Sequence, residues 1–227
     1  MTSTPPPLVR CDRVTRVFGS GSAAVVAVQD LSCAVQPRDL IVITGPSGSG
    51  KSTLLHMLAG LDHPNSGKVS WPGLGANEKL WPGSVGIVFQ GPSLIAPLDV
   101  VENVALPLLL GGAEQAEGAR RAAAILGRQG LSELAAKLPE ELSAGQAQRV
   151  AVARAIAIRP RLILADEPTG QLDHANAGRV LETLLEAATS TGAALVLTTH
   201  DPSVARRFSS LWTMEDGRLG VDAAAPC

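Results

Sequence analysis

The sequence predicts an α/β fold: a mostly parallel sheet covered by helices on both faces, with an inserted helical stretch. Three observations carry this reading. Short β-branched apolar runs alternate with helix-forming segments along the chain, the pattern of strand–helix–strand units. One run, Leu40-Ile41-Val42-Ile43-Thr44, enters a Gly-rich turn that opens a helix. Another, Leu162-Ile163-Leu164-Ala165, delivers two adjacent carboxylates, Asp166 and Glu167, at its carboxyl end, where open α/β sheets place their ligands.

The Gly-rich turn is Gly45-Pro46-Ser47-Gly48-Ser49-Gly50-Lys51-Ser52, followed by Thr53. It fits the phosphate-loop pattern G-x-x-x-x-G-K-[ST], and the helix expected over Thr53 to Ala59 completes the strand–loop–helix context that gives the pattern its mechanism. The glycines let the backbone wrap closely, so that successive N–H groups point at the β- and γ-phosphates. The helix start adds its positive dipole end. Lys51 supplies a point charge to the terminal phosphates, and the Ser52 hydroxyl is placed to ligate Mg²⁺. A Gly/Ser-rich surface turn before an ordinary helix is the bland alternative, and the flanking strand and helix argue against it. The motif implies binding of a nucleoside triphosphate.

In chain order, Leu8 to Val14 and Val25 to Val35 have the alternation of strands. Between them Phe18-Gly19-Ser20-Gly21-Ser22 reads as a flexible loop. Its aromatic ring has two readings: a face that stacks on a base, or a core residue closing the small sheet. Gly60 to Gly67 is a turn cluster, and Lys68 to Trp71 a short strand. Trp71-Pro72-Gly73 and Trp81-Pro82-Gly83 read as turns rather than as a repeat. Val85 to Phe89 is a buried strand ending on Gln90. From Val100 to about Glu140 helix formers dominate, and Pro139 breaks them, which predicts a separate helical subdomain.

Leu142-Ser143-Ala144-Gly145-Gln146 then runs into a further helix, for which Ser143 is an N-cap whose positive end faces Ser143 to Gln146. By itself this is simply a capped helix. At Asp166-Glu167 the aspartate is expected to hold Mg²⁺, directly or through water, and the glutamate to orient and deprotonate the attacking water. A helix N-terminus is the other use of such a pair. A last strand, Ala194 to Thr198, ends at Thr199-His200-Asp201. His200 is either a polar surface residue or a hydrogen-bond donor to the γ-phosphate.

Composition sets the bounds. The chain of 227 residues is long enough for one substantial core. A net charge of −2 gives no bulk basic field for nucleic acid or an anionic membrane. Cys11, Cys33 and Cys227 are far apart and form no C-x-x-C pair, which suits a reducing compartment without structural zinc. The start has no charged n-region and no apolar h-region, so no signal peptide is expected, and the tail from Ala223 to Cys227 is expected to fray. No apolar run approaches the ~20 residues of a spanning helix, and Pro107 interrupts the best, Val104 to Leu110. The expectation is a soluble protein that acts at a membrane only through a partner.

Taken in order and spacing, the Gly45-to-Ser52 loop, Gln90 after its strand, Leu142 to Gln146, Asp166-Glu167, Leu172-Asp173 and His200 resemble the nucleotide-binding subunit of ATP-binding-cassette transporters. The resemblance covers essentially the whole chain, and the Leu142-to-Gln146 signature is its specific part. Gly60-Leu61-Asp62-His63-Pro64, with Val88-Phe89-Gln90 followed by Glu102-Asn103-Val104, looks most like the lipoprotein-release and macrolide-export branch. The resemblance implies a P-loop NTPase core. Residues 1–90 and 160–227 would form the RecA-like part with the antiparallel sheet, and about 91–159 the helical subdomain with the signature helix.

The resemblance also implies two copies packed head to tail around two ATP molecules with Mg²⁺. Each ATP would be held by one chain's Gly45-to-Thr53 loop and by the other's Ser143, Gly145 and Gln146. Phe18 falls where the family places an aromatic against adenine. Gln90 would sense Mg²⁺ and the attacking water, the segment from Gly91 to Asn103 and the helical subdomain would face an integral membrane permease, and Asp173 would touch the opposite subunit. The implied location is the cytoplasmic face of the cell membrane, through that permease.

Three positions depart from the family pattern. Ala144 stands where Gly is commoner, and its Cβ is expected to crowd the γ-phosphate held in trans or its loop. Arg38-Asp39 replaces Gly-Glu, and Lys68 to Ser84 is short, so the antiparallel sheet is expected to be trimmed. Two other readings are a soluble cassette ATPase working on DNA or ribosomes, and an ATP-sensing module. The first usually carries fused second cassettes, long coiled arms, zinc modules or basic patches, and none is visible in this sequence. The second is favoured by Ala144 alone and opposed by Lys51, Asp166, Glu167 and His200.

Overall fold

The computed structural model describes residues 5–75 and 83–223. It contains two sheets. The smaller is antiparallel, with β1 (Val9–Phe18) between β2 (Val25–Val35) and β4 (Ser66–Ser70). The larger has six strands in the order β5-β6-β7-β3-β8-β9, built from β3 (Leu40–Thr44), β5 (Val85–Val88), β6 (Leu162–Asp166), β7 (Ala194–Thr198), β8 (Ser210–Glu215) and β9 (Arg218–Ala223). Its first five strands are parallel, and β9 returns antiparallel on β8.

The central strands are apolar on both faces because both are covered. Ile41, Ile43, Leu162, Leu164 and Val196 point into a core shared with the small sheet and with helix α1 (Lys51–Leu58). Val42, Ile163, Ala165, Leu195 and Leu197 point the other way, towards helix α5 (His174–Thr191) and the short α6 (Pro202–Ala205). A third cluster, around Val104, Leu108, Leu126 and Val150, belongs to helices α2 (Val100–Leu110), α3 (Gln115–Arg128) and α4 (Ala144–Ile156). Asp99 and Glu102 close a reciprocal cap at the start of α2, and buried Asn103 ties the preceding turn through the main chain of Ile95 and Leu98. Among the described residues no helix is long and apolar enough to cross a membrane.

Several sequence expectations are corrected. Ala194–Thr198 is not the last strand: β8 and β9 follow it, joined at Asp216 (φ 48°) and Gly217 (φ 74°). That Asp-Gly pair is a strong hairpin signal, since both central residues need positive φ. Phe18 is no loop residue but the end of β1, paired with Val25. Helix α1 begins at Lys51, two residues before the expected Thr53. Cys11 and Cys33, far apart in sequence, are direct partners across β1 and β2. The chain turns at Trp71-Pro72-Gly73 as expected, whereas Trp81-Pro82, Cys227 and most of the tail lie outside the described residues.

Candidate nucleotide site

Register brings the chemical residues to one edge of the sheet. Val88 of β5 pairs with Ala165 of β6, Asp166 with Thr198 of β7, and Thr198 with Ile43 of β3. The four strands therefore end side by side and release Gln90, Glu167, His200 and the Gly45 loop on the same side.

In the loop, Gly50 (φ 101°) sets the start of α1. A Cβ there would lie 2.0 Å from the Ala27 carbonyl oxygen, and one on Gly45 2.1 Å from that of Met214, so both positions need glycine. Among the described residues, the main-chain N–H groups of Ser47, Gly48, Gly50, Lys51, Ser52 and Thr53 reach no protein acceptor. The Ser49 hydroxyl is buried without a partner. Lys51, 5% exposed, donates to the carbonyls of Gly45 and Pro46 at 2.9 Å each. Its Nζ stands 3.9 Å from Glu167 Oε1. A row of bare donors and a buried cation form an anion cradle of the kind that holds a polyphosphate.

The carboxylates are held by a residue that sequence reasoning missed. Thr198, fully buried, donates its hydroxyl to Asp166 Oδ1 at 2.6 Å and accepts from the Glu167 N–H at 2.9 Å. A threonine closing an all-apolar strand was its only sequence signal. Among the described residues Asp166 Oδ2 receives no hydrogen bond, and it and the exposed Ser52 hydroxyl are the hard oxygen donors here that could each ligate a Mg²⁺ ion. Glu167 sits at φ 41°, a strained backbone for a non-glycine residue. Its Oε2 lies 3.4 Å from His200 Nδ1. A cleft of about 210 Å³ opens beside them, lined by Gly170, Leu172, Thr199 and His200.

Phe18 is 43% exposed, which removes the core reading, and the Arg16 guanidinium lies 4.5 Å from its ring centroid. Gln90 is exposed, and Phe89 before it packs its ring on His56 of α1 at 6.0 Å between centroids.

The signature residues stand apart from the Gly45 loop, on the helical side. Ser143 Oγ accepts from the Gln146 N–H at 3.3 Å, and Gln146 Oε1 from the Ser143 N–H at 3.0 Å, a complete capping box. The missing side chain of Gly145 serves a contact within the chain: a Cβ there would lie 2.8 Å from Asn176 Nδ2. Asn176 in turn donates to both oxygens of Asp173, which caps α5 and is held below the usual carboxylate range chiefly by the Asn176 N–H. The signature and Asp173 are thus neighbours, and Ala144 is exposed.

Residues 28–170 match the ABC transporter family model. The fold superposes, with a TM-score of 0.88 and 32% identity, on the dimeric post-hydrolysis structure of the ATP-binding cassette MJ0796 bound to ADP and Pi. The match covers 96% of this chain and all of that one. A second dimeric structure of MJ0796, described as a bacterial ABC transporter cassette, matches equally well. With its phosphate loop, paired carboxylates and signature helix in the family's order, the chain belongs to the ABC transporter family, as one of its ATPase cassettes.

Proposed function

We propose that this chain is the ATP-hydrolysing subunit of a transporter or mechanotransmitting membrane complex, in the lipoprotein-release and macrolide-export branch. In this reading it works as a head-to-tail pair around two Mg-ATP molecules. The observation that carries the reading is the placement of Glu167 between Lys51 at 3.9 Å and His200 at 3.4 Å, at the mouth of a loop whose N–H groups have no protein partner.

The loop N–H groups and Lys51 hold the phosphates, Ser52 and Asp166 offer oxygens to Mg²⁺, and Phe18 presents a ring for adenine. Bound Mg²⁺ would neutralise charge on the β- and γ-oxygens. Glu167 accepts a proton from water, and its strained backbone, tied to the Thr198 carbonyl and hydroxyl, fixes where that carboxylate points. Gln90 lies at the neighbouring strand end, placed to report on the γ-phosphate position. His200 holds Glu167 and reaches for the same phosphate.

Because Ser143, Gly145 and Gln146 lie on the helical side and Asp173 beside them, the reading assigns them to the partner's nucleotide. The dimeric matches support this arrangement. An apolar groove of about 280 Å³ beside Gln90, lined by Ile87, Phe89, Leu106, Pro107 and Leu110, supports docking of a membrane permease. The pair would then sit peripherally on the inner face of the membrane.

The test is the solution mass of Glu167→Gln with and without Mg-ATP, beside the wild-type ATPase rate. An ATP-dependent shift to a dimer, with measurable wild-type turnover, is expected. A variant that binds ATP and stays monomeric removes the head-to-tail reading.

A further inference from the structure

The Phe18 ring gets little packing from the strand opposite. It is exposed, and Val25, its partner across β1 and β2, is 63% exposed. A ring so placed turns among its rotamers unless a neighbour fixes it. The neighbour is Arg16, two residues earlier and so on the same face of β1. Its guanidinium carbon lies over the ring, 4.5 Å from the centroid, within cation–π reach of one face.

Arg16 is itself gripped by the turn that follows α1. Its Nε donates to Asp62 Oδ2 at 2.9 Å, and its Nη2 lies 2.8 Å from Asp62 Oδ1, a two-pronged ion pair. Both side chains are mostly buried, which strengthens the pair. Arg16 Nη1 donates to Asn65 Oδ1 at 3.4 Å, and the same oxygen accepts from the Val17 N–H at 2.8 Å. The Asn65 N–H donates to the Thr15 carbonyl at 2.8 Å. One turn thus engages Thr15, Arg16 and Val17, directly before Phe18.

That turn closes the C-terminal end of α1. Gly60 (φ 71°) reverses the chain, and the N–H groups of Leu61 and Asp62 return to the His56 carbonyl at 2.9 and 3.3 Å. A carboxylate at a helix C-terminus is opposed by the helix dipole, so Asp62 suits that place only with a cation to answer it. Arg16 is that cation. Helix α1 therefore follows the phosphate loop at one end and leads, about 12 Å on at 1.5 Å per residue, into the clamp on Phe18 at the other.

We propose that Arg16 is a positioning residue for the Phe18 ring, clamped by Asp62 and Asn65, and that this clamp sets how tightly the nucleotide base is held. This rests on the reading of Phe18 as the adenine contact. With the ring already in place, the base stacks on its free face without first having to order it. Without Arg16 only the molecules whose ring is in place bind the base, and apparent affinity falls with their fraction. A staple serving only to fasten β1 to the turn would need no ring beneath the guanidinium.

The experiment is calorimetric titration of ATP and of inorganic triphosphate into wild type, Arg16→Met, Arg16→Lys, Asp62→Asn and Phe18→Ala. Arg16→Met keeps the stem and removes charge and fork. It is expected to weaken ATP by about 3- to 30-fold, the range of a cation–π contact, and to leave triphosphate close to wild type. In steady-state hydrolysis KM for ATP should rise while kcat moves far less. Arg16→Lys keeps a cation for the ring and for Asp62, and should recover part of the loss. Added to Phe18→Ala, Arg16→Met should cost ATP nothing more, since both act through one ring. Asp62→Asn leaves Arg16 without its counter-ion and should give a smaller loss of the same selectivity, which keeps the test open if Arg16→Met does not fold. Equal losses of ATP and triphosphate in the Arg16 and Asp62 variants, or no loss of either, overturn the proposal. Equal losses in Phe18→Ala instead overturn the adenine reading, so the two failures are distinguishable.

Discussion

The hydroxyl of Thr198 bridges the two carboxylate residues, donating to Asp166 Oδ1 at 2.6 Å and accepting from the Glu167 N–H at 2.9 Å. One side chain on β7 thus sets both the orientation of Asp166 and the left-handed turn that aims Glu167. Replacing it with the isosteric valine strips a buried carboxylate of its donor. Thr198→Val is expected to destabilise the fold by about 1–3 kcal/mol, the cost of an unsatisfied buried polar group. A denaturant midpoint equal to wild type would show that Asp166 finds another partner.

In the proposed mechanism Glu167 is the general base. Glu167→Gln is expected to keep nucleotide binding and to lower turnover by ~10²–10⁴, the usual contribution of a general base. Single-turnover phosphate release, measured at saturating Mg-ATP, checks this. Near-normal release would reassign the base, with His200 the next candidate.

Phe18 presents an exposed ring backed by Arg16. Base stacking on an aromatic contributes roughly 1–3 kcal/mol, so Phe18→Ala is expected to weaken ATP by about 5- to 150-fold while leaving inorganic triphosphate unaffected. Calorimetric titration of both ligands decides it, and equal losses for the two would take Phe18 out of the adenine contact.

The thiols of Cys11 and Cys33 face each other across the small sheet. Cys33 is pushed well above the ordinary thiol range, first by its side-chain hydrogen bond with Cys11 and then by burial. Its thiolate should therefore be scarce at pH 8, and alkylation by iodoacetamide several-fold slower than for an exposed cysteine. Because the folded pKa is raised, this thiol's contribution to stability is fully present below the unfolded value and is lost as pH rises through the folded one. Mass spectrometry of alkylation against pH, with Cys11→Ala as the faster comparison, reads the effect. Rapid labelling of Cys33 at neutral pH would contradict it.

Much of the site was legible because its chemistry is local. The loop from Gly45 to Thr53 needs glycines within a few residues of a lysine, and that spacing is written in the chain. Strands β2, β3 and β7 were read to the residue, since buried parallel strands are continuous apolar runs and β2 alternates. The β8–β9 hairpin was missed although Asp216-Gly217 announced it, because Leu211-Trp212 and Met214 sit among polar residues and make a short, mixed run. Helix α5 was not anticipated. Its buried Val180, Leu181, Leu184 and Ala188 do recur at helical spacing, with Glu182, Thr183 and Glu186 between them on the outer side, so the helix signal was in the chain.

By itself the sequence determined the α/β class, the phosphate loop, the order of the nucleotide motifs and the family they resemble, because each depends on residues close together in the chain. Only the tertiary structure decided that Thr198 ties Asp166 to Glu167, that Gly145 makes room for Asn176, that Asp62 and Asn65 hold Arg16, and that Cys33 meets Cys11. Each joins residues that the chain separates and sheet register or helix packing reunites. Such contacts follow from the shape of the closed core, which no local spacing encodes.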